Sequence, residues 1–135
     1  MASVTRINHI ALVVEDIDSA LRFWRDGLGL DLTEVEPVPE QEAQVAFLPV
    51  GESHVELVQP TTTTSGVAKY LAKRGPGMHH VCVEVEDVQA TLNHLKAQGF
   101  RLIDETARQR SDGRRYAFIH PESAHGVLVE LYESL

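Results

Sequence analysis

Two histidines and two glutamates occupy matching places in this chain: His9 with Glu56, and His80 with Glu130. Each histidine sits in a short β-branched run, Ile7 to Val14 or His80 to Val85, and each glutamate in a Val-Glu-Leu triplet. In a strand, alternate residues share a face. Ile10, Leu12 and Val14 therefore share one face and leave His9, Ala11 and Val13 on the other. Val81, Val83 and Val85 likewise leave His80, Cys82 and Glu84 opposite. The Val and Leu of each triplet leave Glu56 and Glu130 opposite. With the apolar faces turned to helices, the four polar side chains project to one side at pseudo-twofold positions. Two imidazoles and two carboxylates suit a divalent ion such as zinc, cobalt, nickel, iron or manganese. Four protein ligands leave positions of an octahedral ion open to water or substrate, as a catalytic ion requires. A lone strand histidine is ordinarily structural, and a lone glutamate ordinarily solvated. The pairing of all four by symmetry is what favours a metal.

That symmetry is a duplication. Asn8 to Ile17 aligns with His79 to Val88 at an offset of 71, and Leu21 with Leu92 and Ala46-Phe47 with Ala117-Phe118 keep that offset. Val55-Glu56-Leu57 aligns with Val129-Glu130-Leu131 at an offset of 74, so the second half carries a net three-residue insertion. Such internal repeats define architecture before any local reading does.

Each half reads as strand, helix, then three strands. Asp16 and Asp87 are positioned as N-caps of helices with apolar residues at helical spacing: Ile17, Ala20, Leu21 and Trp24, then Val88, Leu92 and Leu95. Gly27 and Gly29 close the first helical region and Gly99 the second. Strands are expected around residues 30–35, 45–49 and 54–58, then 101–104, 116–120 and 126–132. Between the halves, Ser65 caps a helix through Val67–Lys73, which Gly75-Pro76-Gly77 ends. The expected fold is α+β: tandem βαβββ repeats forming a curled mixed sheet around a metal-binding cleft, with the helices outside. A single domain over 1–135 is expected, with repeat one at about 7–60, a linker helix at about 61–77 and repeat two at about 78–134.

Composition agrees with a small globular protein. The 135 residues are 43% hydrophobic and 24% charged. One cysteine, Cys82, excludes an intrachain disulfide and any multi-cysteine metal site. A formal net charge of -8 argues against nucleic-acid partners. No apolar run reaches the roughly 18 residues of a membrane span. The N-terminal residues do not read as a signal peptide, so a cytoplasmic protein is expected, or a mitochondrial matrix protein if processed in a eukaryote. Residues 1–60 hold 3 basic and 11 acidic residues, whereas residues 61–135 hold 9 of each. The bases cluster as Lys69, Lys73 and Arg74, then Arg108, Arg110, Arg114 and Arg115. Two readings stand for them: a solvated face, or a patch for a phosphorylated small ligand.

The duplicated unit with this ligand set resembles the vicinal oxygen chelate superfamily, and within it the methylmalonyl-CoA epimerase family. The resemblance runs from about Ile7 to Glu133. It is carried by INHIALVVEDIDSALRFW, VPEQ at Val38–Gln41, VAFLPVGESHVELVQP at Val45–Pro60, SGVAKYLAKRGPGMHHVCVEV at Ser65–Val85, RLIDETAR and YAFIHPESAHGVLVEL. It implies His9, Glu56, His80 and Glu130 as ligands of one divalent ion, whether cobalt, manganese, nickel or zinc. It implies an acyl-CoA substrate, a homodimer, and interconversion of (R)- and (S)-methylmalonyl-CoA by proton removal at C2, with Glu130 as the catalytic base. Some family members carry a second acid/base glutamate at the position of Val45, which exchanges no proton. Glu42, Gln41, Glu130 itself or metal-bound water then remain as sources of the returning proton. Glu42 stands where family members often have glycine, and Arg110-Ser111-Asp112-Gly113 only partly matches the family's glycine-containing loop. Glyoxalase I, which also stabilises an enediolate, and a non-catalytic small-molecule-binding member are the alternatives. A dioxygenase, which needs iron on two histidines and one carboxylate, fits the fourth ligand and the small size less well.

Overall fold

The computed structural model describes residues 3–134. The chain is mixed α+β, and its contacts divide it into two compact units. One runs from His9 to His79. The other joins the segment ending at Asn8 to the segment beginning at His80.

The His9–His79 unit holds most of strand β1 (Val4–Val13), helix α1 (Ile17–Leu21), β2 (Glu34–Val38), β3 (Ala43–Val50), β4 (Ser53–Pro60) and helix α2 (Gly66–Arg74). Its strands lie in the order β2-β3-β4-β1. β2, β3 and β4 are antiparallel neighbours, and β4 is parallel to β1 with His9 opposite His54 and Ala11 opposite Glu56. Both faces of this sheet are covered. Leu12, Ala46, Leu48, Val55 and Leu57 pack with Ile17, Leu21 and Trp24 on one face. Ala11, Val13, Ala43, Val45 and Val58 pack with Val67, Tyr70 and Leu71 of α2 on the other. Val45, 1% exposed, is thus part of a core.

The second unit holds the first residues of β1, most of β5 (Gly77–Val85), helix α3 (Val88–Ala97), β6 (Arg108–Gln109), β7 (Arg115–Ile119) and β8 (Val129–Glu133). The order here is β1-β5-β8-β7-β6, with β5 and β8 parallel and β8, β7 and β6 antiparallel. Val85, Ala117, Ile119 and Leu131 bury against Val88 and Leu92 of α3. Glu84, 3% exposed, accepts bonds from Asn8 Nδ2 at 2.8 Å and Arg6 Nη2 at 3.1 Å, tying the start of β1 to β5.

The caps fall where the sequence places them. Asp16, Ser65 and Asp87 accept bonds from the backbone N–H groups of Ser19, Ala68 and Ala90 at 3.0–3.1 Å, each worth about 1 kcal/mol to its helix. Three expected elements differ. The strand expected at 30–35 begins only at Glu34 and runs to Val38. The first helix winds as α only to Leu21 and then as a π-helix over Arg22–Gly27, with Leu28 N–H donating to Phe23 O at 2.8 Å. That i→i−5 step is a hydrogen-bond choice that side-chain periodicity does not encode. The strand expected at 101–104 shrinks to one bridge between Leu102 and Ile119. Its ladder stops because the Asp104 carboxylate itself takes the Phe118 N–H at 2.9 Å.

Candidate functional site

His9 and Glu56 are brought together by the parallel register of β1 and β4. Glu56 lies opposite Ala11, two residues past His9, on the same sheet face. His9 Nδ1 is 3.1 Å from Glu56 Oε2, and both residues are buried. His54, two residues before Glu56 and thus on that face, places Nε2 2.8 Å from the same oxygen. Its ring stacks on His9 with centroids 5.1 Å apart and meets Phe47 at 5.6 Å. His9, His54 and Glu56 hold one donor atom each within 4.8 Å of one another.

The second unit repeats the device. Glu130 lies opposite Cys82, two residues past His80. His80 Nε2 is 3.0 Å from Glu130 Oε1, with the His80 side chain 3% and the Glu130 side chain 0% exposed. Phe118 packs edge-on to the His80 ring at 5.6 Å. The second carboxylate oxygen, Oε2, accepts from Arg110 Nη2 at 2.7 Å.

These donors fit a divalent ion. Two ligand atoms each about 2.1 Å from an ion and at right angles to one another lie about 3 Å apart. Each unit holds its imidazole nitrogen and carboxylate oxygen at that separation. Buried carboxylates facing imidazoles are the donor set expected for a borderline metal.

The remaining expectations divide. Cys82 is fully buried. His79 leans edge-on against Tyr70 at 4.9 Å, His120 Nδ1 accepts from Glu122 N–H, and His125 is exposed. Glu42 is exposed and holds a left-handed backbone at φ 50, where glycine costs least. The second basic cluster is largely turned to carboxylates. Arg108 pairs with Asp104, Arg110 with Glu130, and Arg115 with Glu133 and Asp87. Arg114 stacks over Tyr132. A phosphate patch there is reduced accordingly. Lys69, Lys73 and Arg74 stand exposed on α2. Beside that helix is a cavity of about 580 Å³ lined by residues that include Thr62, Thr63, Ala68 and Leu71. From its spacing, two residues before Glu56, His54 is expected to flank the site as a structural residue rather than a ligand, and the sequence gives no sign of the Arg110 contact.

Comparison with known proteins shows the fold and the family. The model of a family described as the glyoxalase/bleomycin resistance protein/dioxygenase superfamily matches residues 8–118. The mitochondrial methylmalonyl-CoA epimerase of Mus musculus is 38% identical over 96% of this chain and 73% of its own length. A structure of methylmalonyl-CoA epimerase from Mycobacterium tuberculosis superposes with a TM-score of 0.87 at 38% identity, covering 98% of this chain and 89% of that one. A methylmalonyl-CoA epimerase solved in complex with methylmalonyl-CoA and ammonium superposes with a TM-score of 0.88 at 36% identity, covering 98% and 96%. The chain belongs to the glyoxalase/bleomycin resistance protein/dioxygenase superfamily and, within it, to the methylmalonyl-CoA epimerase family of isomerases. Among the described residues, no helix is long and apolar enough to cross a membrane.

Proposed function

We propose that this chain epimerises methylmalonyl-CoA at C2 and that His9, Glu56, His80 and Glu130 are the ligands of one divalent ion. The observation that carries the reading is the recurrence, in both units, of a buried histidine and glutamate on parallel strands with the same two-residue stagger. The related epimerases named above supply the substrate class. A divalent ion held by His9, Glu56, His80 and Glu130 would supply positive charge to stabilise an enolate of the thioester.

The chain's own residues do the rest. Glu130, buried between His80 and Arg110, is the base that accepts the C2 proton. His80 Nε2 lies against Oε1, and Arg110 takes one lone pair of Oε2 and leaves the other for the proton, so the two fix the direction in which the carboxylate reaches. His54 and His9 both meet Glu56 at one oxygen, Oε2. Val45 offers no proton-exchanging group and packs into the core beneath α2. The exposed bases of α2 meet the CoA phosphates, for which surface cations beside an open groove are suited.

The test is solvent-deuterium incorporation at C2 of methylmalonyl-CoA by protein stripped of metal and then reloaded with Co²⁺. Exchange lost on stripping and restored on loading supports the reading. Exchange indifferent to metal overturns it, and turnover of methylglyoxal with glutathione in its place makes the chain a glyoxalase.

A further inference from the structure

Arg110 lies at the start of the turn between β6 and β7, a place where a surface arginine would ordinarily wave in solvent. It does not. Its Nη2 donates to Glu130 Oε2 at 2.7 Å, and its guanidinium carbon lies 4.6 Å from the ring centroid of Tyr116 and 5.0 Å from that of Tyr132. The turn beneath it is closed on itself. Arg110 N–H donates to Arg114 O at 2.8 Å, and Gly113 N–H donates back to Arg110 O at 2.9 Å. Gly113 has φ +88, which a side chain rarely adopts. Asp112 then fastens the turn to the sheet, taking the Arg114 N–H at 2.9 Å and the Tyr132 hydroxyl at 3.1 Å. The guanidinium is thus held by two rings and a rigid turn.

The two oxygens of Glu130 consequently have different surroundings: Oε1 faces His80 Nε2 at 3.0 Å, and Oε2 faces Arg110. We infer that Arg110 is a positioning residue, which occupies one oxygen of Glu130 so that the carboxylate presents only the other, alongside His80, to a divalent ion. The inference rests on the proposal that Glu130 ligates metal. Its physical basis is the charge-assisted bond to a carboxylate with 0% side-chain exposure, together with a guanidinium whose planar fork is fixed before any ion arrives. Outer partners of this kind hold a ligand in one orientation, and their removal typically weakens metal affinity about 10–100-fold.

The experiment is a calorimetric Co²⁺ titration of the full chain, with the visible spectrum of the Co²⁺ protein recorded in parallel. The proteins compared are wild type, Arg110→Met, Arg110→Lys, Glu130→Gln and the Arg110→Met/Glu130→Gln double variant. Arg110→Met is expected to bind Co²⁺ about 10–100-fold more weakly and with an altered spectrum, as the carboxylate turns. Arg110→Lys is expected to recover part of the affinity, since it restores the charge but not the fork. In the Glu130→Gln background, Arg110→Met should add little, because its effect passes through that carboxylate. Wild-type affinity and spectrum in folded Arg110→Met overturn the inference. So does tighter binding, which would make the guanidinium a competitor of the ion. If Arg110→Met does not fold, Arg110→Lys decides by the same measures. Failure of the wild type to bind Co²⁺ overturns the metal site itself, an outcome distinct from a wild type that binds one ion and an Arg110 variant that matches it.

Discussion

His80 Nε2 and Glu130 Oε1 stand 3.0 Å apart because Glu130 pairs across the parallel β5–β8 ladder with Cys82, two residues beyond the histidine. Glu130→Gln keeps the shape and an oxygen for Arg110 but cannot accept a proton near neutral pH. It is expected to retain the fold while C2 exchange falls by about 10²–10⁴-fold, the usual value of a general base. Deuterium incorporation into each epimer measures this. Near-wild-type exchange would remove Glu130 as the base.

His54 approaches Glu56 Oε2 more closely than His9 does, at 2.8 against 3.1 Å. His54→Phe keeps the ring that stacks on His9 but deletes this bond. Co²⁺ affinity is expected to fall about tenfold or more, with thermal stability in the absence of metal changed far less. Equal Co²⁺ affinity in titration would reduce His54 to a packing residue.

The two basic clusters should behave differently. Reversing Lys69 and Lys73 on α2 is expected to raise KM for the acyl-CoA more than it lowers kcat, with an effect that shrinks as salt is raised. Arg115 is already engaged by Glu133 and Asp87, so Arg115→Gln should lower stability rather than raise KM. Steady-state kinetics beside urea unfolding separate the two outcomes.

Acid should loosen the second unit through Glu133. Its carboxylate is held below the ordinary value, first by the bond from Arg115, against the opposing pull of burial, and with help from the Val88 N–H. A carboxylate with a depressed folded pKa contributes stability above its unfolded pKa and loses it as pH falls through the folded value. Glu84 acts in the same direction. Burial pushes its carboxyl up, and the bonds from Arg6 and Asn8 together outweigh that. In Glu133→Gln, the urea midpoint should therefore fall less steeply than in wild type as pH drops from about 6 to about 3. Parallel slopes would show that Glu133 does not govern the acid limb.

Much of this was legible from spacing because strand alternation is rigid. Once Val55 and Leu57 are assigned to the helix side, Glu56 has one place to go, and the offset of 71 carries the same logic to His80. The contacts that were not legible come from chain segments without periodicity. Arg110 lies in the turn before β7, ahead of the insertion, and the first half has Pro39 at the matching offset, so nothing there foretells its contact with Glu130. Its sequence neighbours Arg108, Arg114 and Arg115 read as one basic patch, although Arg108 is engaged by Asp104, four residues before it, and Arg110 and Arg115 by carboxylates from other parts of the chain. Asp104 shows the same blind spot. A side chain that takes a backbone donor ends a strand that propensity would have continued.

Strand β1 serves both units, with its residues up to Asn8 in one and those from His9 onward in the other. Synthesis on a ribosome gives this a temporal meaning. The stretch His9–His79 is contiguous and can close as it emerges. The residues just before it must wait, because Arg6 and Asn8 find Glu84 only 78 and 76 positions later. Long-range pairing of that kind slows the final step of folding. Substitution of Arg6 or Asn8 would therefore be felt in the half of the protein made after His79.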